Sequence, residues 1–327
     1  MKKKNKLLSL VAAILIVIIF SLGINGMFMP EINKEIVIPE GAGANTVISM
    51  LKDEGLIKSE FVMKMIIKLS GSGRKIRSGT AEISSKMGYF EIKDKLLNAN
   101  NNVKVTIPEG YEIDDIVLLF SKNLGIDAQE FYKEIESGKF DYDFINDELP
   151  TGRHRLEGYI FPETYIFDKN TTAHQVIDSC LMQFDKVYTP ELRKQTEKLG
   201  FTTHEIITLA SIIEKEGKTD LDKISSVFHN RLKDDRFSRL ESCATVIYVT
   251  KQPKDRLTYS DINVQSPYNT YINKGLPPGP IASPGEQAII AAINPAETDY
   301  FYFSALQDGT NTFSKTYDEH IKTVQRR

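Results

Sequence analysis

Histidine and cysteine are scarce in this 327-residue chain, at five and two residues. No H-E-x-x-H pair and no closely spaced cysteine pair occurs, so no zinc site is expected. No lysine stands in a recognisable cofactor motif either, and no cofactor is expected. Basic runs are missing after the first few residues and the formal net charge is only -3, which argues against a nucleic-acid partner. Hydrophobic residues at 41% and charged residues at 26% exclude a disordered chain, and the length suggests two globular units. The two cysteines, Cys180 and Cys243, leave two options open: one disulfide, or two buried thiols.

What is present begins at the N-terminus. Lys2, Lys3, Lys4 and Lys6 precede an uncharged run from Leu7 to Ile24, which extends to Met29. At about 1.5 Å per helical residue this run can cross a hydrocarbon core of about 30 Å. The reading is a cytoplasmic tail at 1–6, a single transmembrane anchor at 7–29, and an extracytoplasmic remainder beyond Pro30, because the lysines lie on the near side. A cleaved signal peptide competes with it. The length of the run and the lack of a small-x-small cleavage site favour the retained anchor.

An internal repeat follows. Ile38-Pro39-Glu40-Gly41 recurs as Ile107-Pro108-Glu109-Gly110, each behind a β-branched run. Val47, Ile48 and Leu51 correspond to Ile116, Val117 and Phe120, and Phe61 to Phe131. Each copy reads as strand, Pro-Glu-Gly turn and helix, with a further strand at Thr80 to Ile83 and a further helix at Glu91 to Leu97. Small β-plus-α units of this kind resemble LysM-type wall-binding modules, and an inert spacer is the competing reading for 33–148. The Asp-, Gly- and Pro-rich stretch Ser137 to Arg155 places a domain boundary near Pro150, with the second domain at 151–327. The fold class expected throughout is α+β.

The second domain carries the chemistry. A helix is expected from Thr172 to Val187, and another behind Thr202-Thr203-His204-Glu205, which has capping-box spacing. Ile206, Leu209, Ala210 and Ile213 recur at helical spacing and Gly217 ends the run, with Glu214 and Glu216 on the two borders of the stripe. A carboxyl at the edge of an apolar face can hold its proton to higher pH and donate it. Both glutamates can equally be solvated helix-end residues, and periodicity does not choose between them.

The ordered motifs beyond this helix add more. Ile213-Glu214-Lys215-Glu216 is followed by Val227-Phe228-His229-Asn230-Arg231-Leu232 and Leu240-Glu241-Ser242. Then come Ser266-Pro267-Tyr268-Asn269-Thr270-Tyr271, Gly275 to Ile281, Ser283-Pro284-Gly285 and Ala291-Ala292-Ile293-Asn294-Pro295. Together with the anchor and the repeat, this series resembles the membrane-anchored endolytic murein transglycosylases over essentially the whole chain. The resemblance implies that Glu214 is the catalytic acid/base. It implies substrate-binding positions at Asn230, Glu241, Tyr268, Asn269, Thr270 and Asn294, and it makes Glu163 of Phe161-Pro162-Glu163-Thr164-Tyr165 the candidate second carboxylate. Turn chemistry and core packing compete for these positions, most strongly at Asn294. Three positions depart from the family pattern: Glu241 stands where glutamine is expected, Cys243-Ala244 where Asp-Pro is frequent, and Ser283 where asparagine is common.

The implied substrate is the peptidoglycan glycan strand, cut between N-acetylmuramic acid and N-acetylglucosamine to leave a 1,6-anhydro end. Peptidoglycan synthases, or proteins of the division or elongation machinery, are the implied protein partners. The rivals are a non-catalytic wall-binding scaffold, a hydrolase pairing Glu214 with Glu163 or Glu241, and a soluble pyridoxal-phosphate lyase, which the export signal argues against.

Overall fold

The computed structural model describes residues 30–146, 149–237, 239–253, 257–306 and 310–325. The expected tail and anchor, 1–6 and 7–29, lie outside the described residues. Among those described, no helix is long and apolar enough to cross a membrane. The architecture is α+β, as expected, and the described residues form three separate two-stranded sheets among many helices.

The chain divides into two compact units between Asn102 and Val103. The division expected near Pro150 is therefore displaced toward the N-terminus, and the second copy of the repeat belongs with everything that follows it. Its β-branched strand and aromatic helix positions supply core residues to the second unit, so the loop-like composition around Pro150 marks an insertion rather than an end.

The first unit runs β1 (Asn33–Ile38), α1 (Ala44–Asp53), α2 (Glu60–Leu69), β2 (Gly79–Ser84) and α3 (Tyr89–Leu97). β1 and β2 pair antiparallel, Asn33 opposite Ser84 and Ile38 opposite Gly79. Val47, Ile48 and Leu51 are buried on one face of α1 at the spacing expected of an amphipathic helix. Phe61 departs from expectation: it is 70% exposed on α2, and Met63 is the buried residue. Ile36, Ile83, Tyr89 and Leu96 complete this core.

The second unit opens with the same order. β3 (Asn102–Thr106), α4 (Ile113–Leu124) and α5 (Ala128–Ser137) lead, after a longer connection, to β4 (Thr164–Asp168), which pairs with β3. Then follow α6 (Ala173–Val187), α7 (Pro190–Leu199), α8 (Thr203–Glu216), α9 (Leu221–Lys233), α10 (Cys243–Thr250), α11 (Tyr259–Ile262) and α12 (Glu286–Ile293). A hairpin of β5 (Tyr302–Ala305) and β6 (Asn311–Ser314), paired antiparallel, precedes α13 (Tyr317–Gln325). Capping boxes start α6 at Thr172 with Gln175 and α8 at Thr202 with Glu205.

Helix α8 is the axis of this unit. Every residue from Ile206 to Ile213 is buried, Thr208 and Ser211 included, so the expected single stripe is replaced by burial on all sides. Its most extensive packing is against α12, with α9, α10 and α7 also in contact. Its last turn still carries two glutamates and a lysine, and burial of the rest fixes where they can point.

Candidate functional site

A loop is laced along one face of α8. The ring of His204 lies between the Tyr159 hydroxyl, 3.1 Å from Nδ1, and the Pro278 carbonyl, 2.8 Å from Nε2. The carbonyl can only accept, so Nε2 carries the proton and Nδ1 accepts from tyrosine. Two turns on, the Ser211 hydroxyl accepts the Ile281 amide at 3.0 Å and donates to the Thr208 carbonyl at 2.7 Å. One turn further, the Gly285 amide donates to Glu214 Oε2 at 3.0 Å. These three rungs share one helix face at spacings of two turns and one. They bring the loop to Glu214 in a defined register.

The turn Pro108-Glu109-Gly110 closes the other side. The Gly110 amide donates to the Ser283 carbonyl and the Ser283 amide to the Tyr111 carbonyl, both at 2.8 Å. Lys215 Nζ donates to the Gly110 carbonyl at 3.1 Å. Glu109 lies so close to Gly285 that a Cβ there would sit 2.0 Å from its Oε1, and the end of the Glu109 side chain would have to move. The backbone at Gly285 is unstrained, with φ -73°, so a side chain there would act by displacing the end of Glu109.

Glu214 is half-buried. Burial pushes its carboxyl above the usual carboxylate range, and the charge of Glu109 pushes it further, while the Gly285 amide and Lys215 oppose both. The group therefore holds its proton to higher pH than a solvated glutamate. The amide it accepts belongs to Gly285, the residue that precedes α12. A proton donor held by one backbone amide, with a second carboxylate beside it, suits general acid/base chemistry.

Glu216 is placed differently. Its Oε1 accepts from the Ser242 hydroxyl and, at 3.3 Å, from the Ala244 amide, so it satisfies the first turn of α10. Its carboxyl is also raised by burial, against these donors and the nearby Arg231. One glutamate caps a neighbouring helix and the other faces the loop and the turn. That separates two residues that periodicity leaves equivalent.

The remaining candidates are dispersed. Asn230 donates to the carbonyls of Thr298 and Tyr300, both at 2.9 Å. Asn269 is fully buried and donates to the carbonyls of Ile262 and Val264. Thr270 accepts from the Ser242 amide at 3.0 Å. Asn294 is exposed at the end of α12, its amide 3.3 Å from the Ile290 carbonyl. Tyr268 packs its ring on Tyr248 at 5.2 Å between centroids. In these places the side chains hold loops and helix ends. Glu163 is exposed and accepts the amide of its neighbour Thr164 at 2.7 Å. Glu241 faces Arg231 at 3.4 Å, in a cavity on the Glu216 side. The carboxylate beside Glu214 is Glu109, which the sequence presented only as part of a repeated turn.

Two supporting residues also escape sequence reasoning. Glu157, only 2% exposed, accepts the Ile113 amide at 2.9 Å and so caps α4 just behind the Glu109 turn. Burial raises its carboxyl, with His154 opposing. Gly158 has φ +85° and lies where a Cβ would meet Pro280 at 2.6 Å, which fits the loop tightly to this segment. The cysteines realise neither of the two options in full: Cys180 is a buried free thiol and Cys243 an exposed one, its Sγ 3.2 Å from the Tyr271 hydroxyl.

A model of the YceG-like family matches residues 36–326. The endolytic murein transglycosylase of Bacillus subtilis is 34% identical over 304 residues, covering 88% of this chain and 83% of that protein. The protein of the same name from Streptococcus pneumoniae serotype 2 is 29% identical over 317 residues. The match takes in 88% of this chain but only 57% of that longer relative, so the chain spans little more than half of it. The crystal structure of a yceG-like protein from Listeria monocytogenes superposes with a TM-score of 0.60 at 32% identity, covering 90% of this chain and all of that one.

Proposed function

We propose, from the premise that this chain belongs to the YceG-like family, that it is an endolytic lytic transglycosylase of peptidoglycan with Glu214 as its acid/base. The observation that carries the assignment is the carboxyl of Glu214, half-buried at the end of α8, held by the Gly285 amide beside Glu109. Glu214 donates its proton to the glycosidic oxygen as the bond between N-acetylmuramic acid and N-acetylglucosamine breaks. The resulting carboxylate accepts the proton of the muramic C6 hydroxyl as that oxygen closes on C1 of the same ring. A 1,6-anhydro end forms and no water is consumed. The nucleophile is already part of the substrate, which removes most of the entropic barrier to its approach.

Glu109 supports this cycle by favouring the protonated resting form of Glu214. Its presence also sustains a second reading, in which two carboxylates hydrolyse the bond with water. The products differ by one water per cut, so mass spectrometry of the new ends separates the two. Glu214→Gln on purified glycan strands is expected to lower the rate by about 10²–10⁴-fold, the usual worth of a positioned proton donor. Undiminished anhydro ends would reject the assignment.

The remaining parts of the reading are architectural. Residues 7–29 serve as a single-pass anchor, with the described residues outside the membrane. The strand-helix-helix-strand order of the first unit supports a LysM-like wall-binding role. Peptidoglycan is the substrate, and synthases or division and elongation proteins are the partners to which an anchored enzyme would be tethered. Fractionation of cells carrying the full chain, against one lacking residues 1–29, tests the anchor directly.

A further inference from the structure

Helix α2 of the first unit has two apolar faces, and one of them is turned outward. Met63, Ile66 and Ile67 are buried in the core. Phe61, Met65 and Leu69 recur every four residues on another side and form a ridge along the helix. Phe61 is 70% exposed and Leu69 81%, with Met65 half-buried between them. Lys64 and Lys68, one turn apart and exposed, stand beside the ridge. The segment around them is cationic. From Phe61 to Ala81 the chain holds Lys64, Lys68, Arg74, Lys75 and Arg77 and no acidic residue. Among the described residues Lys64 pairs with Glu60 at 2.7 Å, and the other four form no ion pair. Lys64, Lys68 and Arg74 line an open cavity of about 440 Å³ where α2 meets the start of α1.

The sheet face turned away from the core has the opposite charge. Ile36 and Ile38 point inward from β1, so Val37 points outward together with Glu35, which stands opposite Glu82 of β2. The unit is thus polarised between an acidic sheet face and a basic, apolar helix face. The chain enters it at the end where α2 begins. The Ser85 hydroxyl donates to the Pro30 carbonyl at 2.8 Å and accepts the Ile32 amide at 2.9 Å, so the fold takes hold at the first described residue. Ile32 lies against Gly55, four residues before Ser59 caps α2. The ridge starts near this entry and runs about 15 Å along the ten residues of the helix.

We propose that the ridge of α2 and its lysines dock the first unit on the anionic surface of a lipid bilayer. The inference rests on residues 7–29 being a single-pass anchor, and it adds which face of the unit meets the membrane. With no slack between residue 29 and the fold, the unit is held at the headgroups. Phe61, Met65 and Leu69 enter the boundary between headgroups and acyl chains. Lys64 and Lys68 lay their stems along the ridge and carry their ammonium groups to the phosphates, and Arg74 meets them at the cavity. The acidic sheet face is left turned to the aqueous side. A neutral apolar partner would cover the ridge but would leave the surrounding cations unanswered.

The chain contains no tryptophan, so one introduced indole reports its own position. The full chain carrying Phe61→Trp is reconstituted in phosphatidylcholine vesicles with about one quarter phosphatidylglycerol, with and without brominated acyl chains. Bromine is expected to cut the emission by about half, and pure phosphatidylcholine or about 0.5 M salt to restore it. Val37→Trp, on the acidic face, is expected to show no quenching. Adding Lys64→Gln and Lys68→Gln to Phe61→Trp is expected to remove the quenching while the chain still floats with the vesicles. Equal quenching at positions 61 and 37, or an indole at 61 quenched by aqueous acrylamide and not by bromine, overturns the proposal. So does an indole at 61 shielded from both quenchers, which would mean that a second copy or another protein covers the ridge. A chain that does not float with the vesicles overturns the anchor and the docking together. One that floats with an unquenched indole overturns the docking alone.

Discussion

The two copies of the strand-helix-helix-strand unit differ less in how they fold than in what their turns touch. Both Pro-Glu-Gly turns end on a glycine of positive φ, +73° at Gly41 and +74° at Gly110. Both first helices bury residues at positions four, five and eight, and both second helices bury position four, Met63 in one and Phe131 in the other. Among the described residues nothing lies within 4 Å of a would-be Cβ at Gly41, whereas Gly110 has Glu214 and Lys215 at 3.7 and 3.6 Å. The connection between second helix and second strand, 70–78 in the first copy and 138–163 in the second, accounts for the change. The longer one carries Glu157 to the cap of α4 and Tyr159 to His204 at the start of α8. A duplicated scaffold becomes part of a site when an insertion lets it grip another helix.

If the copies share a fold and differ in duty, mutations should separate stability from activity. Met63→Ala removes a fully buried side chain and should destabilise the first unit by about 2–5 kcal/mol. Phe61→Ala, two residues earlier and 70% exposed, should change stability by less than about 0.5 kcal/mol. Circular dichroism melts of both variants check the pair, and equal losses would contradict the assigned register of α2. Gly285→Ala in the second unit should act on rate instead. The added methyl displaces the carboxylate end of Glu109 from beside Glu214, so the rate should fall while the melting temperature stays close to that of the parent. A wild-type rate of anhydro-end formation from this variant would break the link between the loop and the acid.

Much of this arrangement was legible locally. The capping box at Thr202 depends on residues three apart and formed where expected, and α6 begins one residue after the expected Thr172, where the structure adds a second box with Gln175. The repeat was legible because a proline-glycine turn behind a β-branched strand has few conformations open to it. The partners of Glu214 and Glu216 were not legible. α8 is buried all round, so its wheel has no polar face to point with. Only the Gly285 amide on one side, and Ser242 with Ala244 on the other, tell the two apart, and these lie far away in sequence. The Phe61 pairing failed for a related reason: aromatic matched aromatic in the alignment, while the helix phase placed Met63 inward. Asn269 and Thr270 entered as substrate-binding positions by resemblance, and in the structure both are buried with their side chains bonded to backbone.

The turns themselves give a finer contrast. Gly41→Ala and Gly110→Ala force the same left-handed backbone on alanine, so each should lose about 1 kcal/mol of stability. The contacts at Gly110 are ordinary van der Waals distances, so the second variant should cost only slightly more than the first. Chemical denaturation of the two proteins measures this directly. A loss several times greater at Gly110 would mean that the turn cannot give at all beside α8.

The smallest expected effect is the most specific to the site. Glu109 raises the pKa of Glu214 by placing negative charge beside it, so Glu109→Gln should lower that pKa while keeping the shape of the side chain. In the proposed mechanism Glu214 must be protonated to act, and activity therefore falls as pH rises through its pKa. Lowering the pKa moves this descending limb to lower pH, and the variant should lose relative activity first at the alkaline end. Glu40→Gln removes the equivalent charge from the other turn and should leave the limb in place. A shift to higher pH in Glu109→Gln, or an equal shift in both variants, would mean that the charge at residue 109 does not act on Glu214, and the duplicated turn would then be scaffold in both its copies.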